Sequence, residues 1–308
     1  MLKQRIHPFK FKLLLVVLFL PTFLMAISSG VQAKTAAVEQ TTKSCLWMVD
    51  TPSNKIYLLG SLHLLKPDDY PLSASINKAY AESQLLVFET DLKALMNPEI
   101  LMKFNELSTY PQGEDLFQNL DPHTKNLLEK KLSALGLPME SYSRYKPWAV
   151  AQDLAMRELG RMGFNLIYGI DFHFFNKATT DGKETDFLES PEFQIDLIGN
   201  MAARQQNDFL SQTLRDIDVI EALSGDLVKS WKTGNVDKLH KLLYQSFKDY
   251  PDIHDRFLIQ RNKKWIHKVE AAMLNKKNVL FVVGAGHLVG PESVVDLLKK
   301  KGYRVKQQ

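Results

Sequence analysis

The sequence predicts an α/β fold: a central mixed sheet flanked by helices, with a helical cap inserted into the chain. Short apolar runs typical of buried strands lie near both ends, whereas the middle follows helical spacing. The chain has 308 residues, 45% hydrophobic and 24% charged, which is a globular composition that can bury a large core. We therefore expect one discontinuous domain at 44–308, with its α/β core at 44–91 and 184–308 and the cap at about 92–183.

The first 33 residues have the features of a secretory signal. Four basic residues precede the apolar run at 13–27, and VQA at 31–33 is a small-x-small cleavage site. An uncleaved membrane anchor is the alternative, but the run is short for a membrane span and contains Pro21. We expect a periplasmic or secreted protein, with no stable membrane insertion after signal cleavage and a loose polar tail at 34–43.

The charge balance gives no argument for a nucleic-acid partner. The whole chain has 39 basic and 35 acidic residues, but residues 1–33 carry four of the basic ones and none of the acidic ones. The remaining chain therefore has 35 residues of each sign and no net charge. It also has no Lys/Arg run interleaved with aromatic side chains, so we expect no nucleic acid to bind.

The chain contains a single cysteine, Cys45. One thiol excludes an internal disulfide and also excludes Cys-rich zinc sites. Because Cys45 opens the apolar run CLWMV, we predict a buried, unreactive thiol rather than a nucleophile.

Four core elements are predicted before the cap. Apolar runs at 46–49 and 55–59, separated by the turn sequence DTPSN, predict a β-hairpin. The stretch at 71–83 predicts a helix, and the short apolar run LLVF at 85–88 predicts a buried strand. Two cap helices are the clearest: HTKNLLEKKLSALG, which ends in glycine, and PWAVAQDLAMRELGRMG, which begins with proline.

The second half of the core begins with a strand predicted at 185–188. A helix follows it and begins at the Ser-Pro pair of ESPEF, because serine is a preferred N-cap and proline fits the first helical position. The run VLFVV at 279–283 predicts the clearest buried strand of the chain. A helix at 291–301 and the strand YRVK are predicted to close the fold.

Two of these strands end in the same motif, Gly-x-x-His. KIYLLGSLHLL contains Gly60 and His63, and NVLFVVGAGHLV contains Gly284 and His287. One such match means little, but two, each at the carboxyl end of an apolar strand, are far less expected by chance. Ligands of open α/β sheets bind outside the carboxyl ends of the strands, so we expect both histidines to face one shared centre.

A third strand ends in a carboxylate, Glu89. An acidic side chain directly after a buried run is unfavourable unless it is paired or binds a metal. Two imidazoles and one carboxylate form a ligand set for a divalent ion with an open coordination position. Such an ion lowers the pKa of bound water and polarises a carbonyl. The pattern predicts a metal or catalytic site at His63, Glu89 and His287, although each residue alone is also typical of a hydrogen-bonded loop.

With these motifs, the chain resembles the TraB/GumN family, which includes the Tiki-type proteases. The two Gly-x-x-His motifs and the strand-end glutamate mark that family. Further matches are LWMVD at 46–50, YGID at 168–171, LES at 188–190 with Gln194, and QRN at 260–262. The resemblance extends from about residue 44 to 306 and implies an α/β fold related to the erythromycin-esterase and ChaN-like proteins. It also implies metal-dependent hydrolysis of peptide bonds in a peptide or protein substrate.

The resemblance assigns the site to His63, Glu89 and His287, and our hypothesis is that these residues bind one divalent ion, with Mn, Co or Zn expected. Glu89 would be either a ligand or the general base of the reaction. Arg261 matches a family arginine and would bind a substrate carboxylate or stabilise the tetrahedral oxyanion, the alternative being an ion pair on a helix face.

Two acidic residues, Asp171 and Glu189, also match family positions. Both suit the start of a helix, where a negative charge is favourable, so we predict a structural role for each.

Two other functions stay open at this point. ChaN-like relatives bind haem or iron without hydrolysis, so a periplasmic haem- or iron-binding protein is the first alternative, with Tyr168 or a remaining histidine as axial ligand. A Soret band on haem titration would favour it. The family name also suggests a non-catalytic role in exopolysaccharide export, which failure to bind any metal would favour.

Overall fold

Strands from both ends of the chain meet in one sheet. The computed structural model describes residues 43–308, so the predicted signal at 1–33 and nearly all of the predicted tail lie outside the described residues. The described strands are β1 (Leu46–Asp50), β2 (Lys55–Ser61), β3 (Leu85–Phe88), β4 (Glu184–Phe187), β5 (Val279–Gly284) and β6 (Val305–Gln307). Their order across the sheet is β4-β3-β5-β2-β1-β6.

The middle of the sheet is parallel and one side is antiparallel, which confirms the predicted mixed sheet. β5 pairs in parallel with β2 and β3, and β3 pairs in parallel with β4. β1 pairs antiparallel with β2, as predicted for the hairpin, and with β6. Because β2, β3 and β5 run in one direction, their carboxyl ends lie at the same edge of the sheet. β2 and β5 are buried along nearly their whole length, which explains their continuous apolar sequences.

Helices flank this sheet, as predicted, and make up most of the rest of the described chain. They are α1 (Ala74–Glu82), α2 (Pro98–Ser108), α3 (Leu116–Asn119), α4 (Pro122–Ala134), α5 (Pro147–Arg161), α6 (Ile170–Thr180), α7 (Pro191–Gly199), α8 (Ala203–Ile217), α9 (Ile220–Lys232), α10 (Val236–Phe247), α11 (Pro251–His254), α12 (Gln260–Met273) and α13 (Val294–Lys300). The Ser190 hydroxyl caps α7 by accepting from the Phe193 N–H, which confirms the predicted helix start. Within residues 43–308, no helix combines the length and apolar character needed to cross a membrane.

The buried apolar side chains form two main clusters. The first packs the sheet against α1, α6, α9, α10, α12 and α13. The second joins α2, α4 and α5 to α7 and α8. Helices of the predicted cap therefore share a core with two helices that follow residue 183, whereas α6 packs with the sheet.

Candidate active site

The three residues predicted for the metal site lie together at the carboxyl edge of the sheet. His63 lies just beyond β2, Glu89 directly follows β3, and His287 lies in a short 3-10 turn after β5. Glu89 Oε1 is 3.7 Å from His287 Nε2. A β-carbon placed on Gly284 would lie 3.2 Å from Glu89 Oε1 and 3.4 Å from His63 Nε2, so these two atoms face the same point. The parallel strands thus bring the three side chains together.

The glycines of the two motifs have different neighbours, because Gly60 packs against residues that flank other strands and Gly284 faces the site. A β-carbon on Gly60 would lie 2.6 Å from Cys45 Sγ and 3.1 Å from the Cα of Ala285, so the packing around β2 leaves no room for it. Gly284 instead faces the site. Cys45 is fully buried, as predicted, and burial raises the pKa of its thiol.

A carboxylate orients His63. The Nδ1 of His63 is 2.7 Å from Asp171 Oδ2, and the Ser61 hydroxyl donates to Asp171 Oδ1 at 2.9 Å. Asp171 lies in the first turn of α6. Burial lowers the pKa of His63, but the charge and hydrogen bond of Asp171 outweigh it, and the pKa is raised above its usual value. Because Nδ1–H donates to Asp171, the ring directs Nε2 towards the site.

A neutral amide orients His287. Its Nδ1 is 2.6 Å from Asn262 Oδ1, and the Asn262 amide nitrogen donates to the carbonyl oxygen of Glu292 at 2.9 Å, which fixes which way the amide points. The ring centroid of Trp265 lies 4.3 Å from that of His287. Burial lowers the pKa of His287 to about 3. The ring is therefore neutral, with its hydrogen on Nδ1 and an acceptor at Nε2.

Arg261 is a cation enclosed between two carboxylates, and it is only 2% exposed. Its Nη2 donates to Glu89 Oε2 at 2.5 Å and to Glu189 Oε2 at 2.7 Å, and its Nε donates to Glu189 Oε1 at 2.8 Å. Its Nη1 donates to His287 Nε2 at 3.1 Å. Burial lowers the pKa of the guanidinium, but the two carboxylates reverse this effect and raise it. The ion pair is therefore internal and joins different elements, rather than lying on an exposed helix face.

A π-helical turn at Asp255–Ile259 immediately precedes α12 and Arg261. Such turns are uncommon and often occur at functional sites. The carbonyl oxygen of Phe257, inside this turn, accepts from Arg261 Nη1 at 3.1 Å. The irregular backbone therefore helps to fix the guanidinium between its partners.

Glu89 is surrounded by hydrogen-bond donors. The Gly284 N–H donates to Oε1 at 2.7 Å, while Arg261 and, at 3.4 Å, the Gln194 amide donate to Oε2. Burial raises the pKa of Glu89, but Arg261 and the nearby histidines together lower it to about 2. Glu89 is therefore an ionised carboxylate that accepts hydrogen bonds only.

The donor chemistry of this cluster fits a divalent metal ion. Two imidazole nitrogens and a carboxylate oxygen suit Mn, Co or Zn. The hydrogen bonds from His63 to Asp171 and from His287 to Asn262 are of the kind that orient metal-binding histidines. A void of about 10 Å³, close to the roughly 10–15 Å³ that one water needs, lies against both rings.

Arg261 competes with such an ion. Its guanidinium already donates to Glu89 and to the Nε2 of His287, so a bound ion would have to replace these contacts. Consistent with this, no group of three or more His, Cys, Asp or Glu side chains within residues 43–308 forms a ready set of metal ligands.

Several supporting residues have weaker signals in the sequence. The helix-start explanation for Asp171 and Glu189 is incomplete, because Asp171 bonds to His63 and Glu189 bonds to Arg261. Sequence patterns give no separate role to Asn262 and Trp265. The available signal for Asn262 is its place in the QRN match at 260–262, and for Trp265 it is the i,i+4 spacing that places it beside Arg261 on α12.

Comparison with known proteins agrees with the motifs. The sequence profile of the TraB/PrgY/gumN family matches residues 45–307. The chain belongs to the TraB/PrgY/gumN family. The matched range contains every element of the described sheet and all the site residues of this TraB/PrgY/gumN protein.

Individual relatives of this TraB/PrgY/gumN chain are distant. The protein YbaP of Escherichia coli K12, described as uncharacterized, is 22% identical, with 82% of this chain and 90% of YbaP covered. Metalloprotease TIKI2 of Danio rerio is 24% identical over 85% of this chain, and human Metalloprotease TIKI1 is 22% identical over the same share. The matches cover 60% and 61% of the lengths of these two metalloproteases. No solved structure matches the chain.

Proposed function

We propose that this protein is an exported metal-dependent hydrolase that cleaves peptide bonds, that is, a metalloprotease. The observation that carries the proposal is the meeting of His63, Glu89 and His287 at one edge of the sheet, with both rings oriented through Nδ1. Relatives that bear the names Metalloprotease TIKI1 and TIKI2 support the same reaction class.

His63 and His287 would bind the ion through Nε2, and Glu89 would supply a carboxylate oxygen. We expect Mn, Co or Zn at this position. When bound, such an ion polarises a carbonyl and activates water as a nucleophile. The low pKa of Glu89, about 2, keeps its carboxylate charged and ready to balance positive charge in the site.

Arg261 would stabilise the negative charge that develops on the substrate carbonyl oxygen. Glu189 accepts from both Nε and Nη2, so it orients the guanidinium even when Glu89 and His287 bind another group. A cation that is fixed in advance stabilises a developing oxyanion with little rearrangement.

A periplasmic or secreted location is part of the proposal, and it rests on the signal-like sequence of residues 1–33. The substrate would then be a peptide or protein outside the cytoplasm. N-terminal sequencing of the protein recovered from producing cells tests this, with a start near Lys34 as the expected result. A chain that retains Met1 would contradict signal cleavage.

Metal content is the decisive measurement. The chain without residues 1–33 would be exchanged against Mn, Co, Zn and Fe and measured by elemental mass spectrometry. We expect close to one ion per chain in the wild type and its loss in His63→Ala and His287→Ala. His123→Ala, at an exposed position of α4, is the matched control and should retain the ion. A folded wild-type protein that binds no ion would contradict the proposed metal-dependent mechanism.

The variant Glu89→Gln separates the two roles considered for Glu89. Loss of the ion identifies Glu89 as a ligand, whereas an ion retained with hydrolysis of a peptide library abolished identifies it as the general base. Haem titration of the same preparations tests the haem alternative. A Soret band that a single histidine substitution removes would replace hydrolysis by haem binding.

A further inference from the structure

A cavity of about 370 Å³ lies beside the candidate site. This volume is at the small end of the range of roughly 300–1,000 Å³ found for small-ligand sites. Leu243 and Gly286 line this cavity and also line the small void against His63 and His287. A group bound at the site would therefore have the cavity as its immediate neighbour.

The wall of the cavity is mainly apolar and aromatic. Tyr244 is 44% exposed, and its ring centroid lies 5.3 Å from that of His240 and 5.4 Å from that of His254. The buried Phe247 lies 5.2 Å from His254 on the inner side. These four rings form a continuous surface, which we call the ring wall. The rest of the lining is mostly apolar, with the side chains of Leu243, Leu258 and Val289 among it, and its polar residues are Asn262 and Glu292.

The cavity presents little charge. Burial lowers the pKa of both His240 and His254, so each ring favours its neutral form. Among the lining residues, all of which belong to the described chain, Glu292 is the one with a formal charge. Its carboxylate is already engaged by Lys300 at 2.8 Å and by Lys263 at 3.4 Å. A charged guest would lose hydration and meet no unpaired opposite charge among the lining residues, whereas an apolar guest has no charge to desolvate.

We propose that this cavity binds an aromatic side chain of the peptide substrate, next to the bond that is cleaved. An aromatic ring fills the space and packs edge-to-face or offset against the ring wall, which aromatic pairs favour. A small side chain would leave much of the space without contacts. That the bound ring belongs to a substrate rests on the proposed function, whereas the binding of an aromatic group does not require hydrolysis.

Direct binding tests the cavity without any assay of activity. The purified, isotope-labelled protein would be titrated with the N-acetyl amides of phenylalanine, leucine, alanine and lysine, and binding followed by NMR chemical shifts. We expect the phenylalanine derivative to bind about tenfold more tightly than the alanine and lysine derivatives. Equal affinities for all four compounds would overturn the proposal.

Two variants locate the binding. Ile259, at the edge of the cavity, is partly buried, and Ile259→Trp would fill the space with a bulky ring. We expect it to weaken phenylalanine-amide binding by about tenfold or more. Ile167→Trp, at a position that is 50% exposed and outside the cavity lining, is the matched control and should leave binding unchanged. Tyr244→Ala removes part of the ring wall and should weaken binding about threefold to tenfold.

Urea midpoints of all variants show whether a loss of binding reflects a loss of folded structure. If Ile259→Trp does not fold, the binding measured for Tyr244→Ala decides the test. Unchanged binding in Tyr244→Ala, or a Soret band with haem that His240→Ala removes, would overturn the aromatic-side-chain proposal. The two proposals fail separately. If the protein binds metal and hydrolyses peptides but does not bind the phenylalanine amide, only the cavity proposal is wrong. If it binds the amide but no metal, only the hydrolase proposal is wrong.

Discussion

The two Gly-x-x-His motifs share a sequence pattern and a position at the sheet edge, but they differ in what surrounds them. His63 donates from Nδ1 to the carboxylate of Asp171 on α6, whereas His287 donates to the neutral amide of Asn262 on α12. The pKa of His63 is raised, while that of His287 is lowered to about 3. A repeated motif therefore positions two rings alike. At His63 the carboxylate of Asp171 outweighs the effect of burial on the pKa, whereas at His287 burial prevails.

The largest loss of stability should come from removing Arg261, the cation that contacts His287. Arg261→Met leaves the largely buried carboxylates of Glu89 and Glu189 without their common partner. Loss of one partner of a buried ion pair costs about 3–5 kcal/mol, and we expect the free energy of unfolding to fall by that amount in urea titrations. Because Glu89 and His287 lose a competing donor, added Mn, Co or Zn should stabilise this variant more than the wild type.

An exposed ion pair supplies the control for Arg261→Met. Arg157 is paired with Asp153 on the surface, so Arg157→Met should lower the free energy of unfolding by less than about 1 kcal/mol. Equal losses in the two variants would mean that the enclosed pair contributes no more than a surface one.

The next largest effect should be a change in metal affinity when the hydrogen-bond partners of the two histidines are exchanged. Asp171→Asn removes the carboxylate behind His63, and we expect metal affinity to fall about 10–100-fold, as is typical when an outer partner of a metal-binding histidine is lost. Asn262→Asp should act in the opposite direction, because it adds a negative charge behind His287. Calorimetric titration of both variants checks this, and identical affinities would show that the difference between the partners has no consequence for metal binding.

The motif glycines should separate stability from function. Gly60→Ala places a β-carbon 2.6 Å from Cys45 Sγ, and such overpacking costs about 1–3 kcal/mol of unfolding free energy. Adding Cys45→Ala should recover part of this loss. Gly284→Ala instead directs its β-carbon at Glu89 and His63. We therefore expect this variant to lose a larger fraction of its bound metal than of its urea midpoint. The opposite pattern in the two variants would contradict these assignments.

The smallest effect concerns the thiol beneath the first motif. Cys45 is fully buried and burial raises the pKa of its thiol, so the thiolate that reacts with alkylating agents is scarce in the folded protein. Iodoacetamide at mildly alkaline pH should leave Cys45 unmodified until urea unfolds the chain, as measured by intact mass. Rapid labelling under native conditions would show that β1 separates readily from β2.

The sequence predicts the parallel strands well because their buried runs are continuous and short. β3 occupies the residues that the run LLVF predicts, and β5 differs from its prediction by one residue. The helix predicted at 71–83 begins later, at Ala74, because the Ser73 side chain caps it by accepting from the Ile76 N–H. The grouping of the helices is less predictable, since α7 and α8 share a core with the cap although a strand separates them from it in the chain.

The sequence by itself determined the family and the positions of His63, Glu89 and His287 just after apolar strands, because motifs and apolar runs are read along the chain. The parallel pairing of β2, β3 and β5 is what brings the three side chains to one edge. The tertiary structure decided the rest of the site. Asp171, Asn262 and Glu189 reach it from three separate segments, and Arg261 contacts both Glu89 and His287 instead of lying outside the cluster. Such contacts depend on how helices pack against the sheet, and helical periodicity specifies which face is apolar but not which polar side chain will meet which histidine.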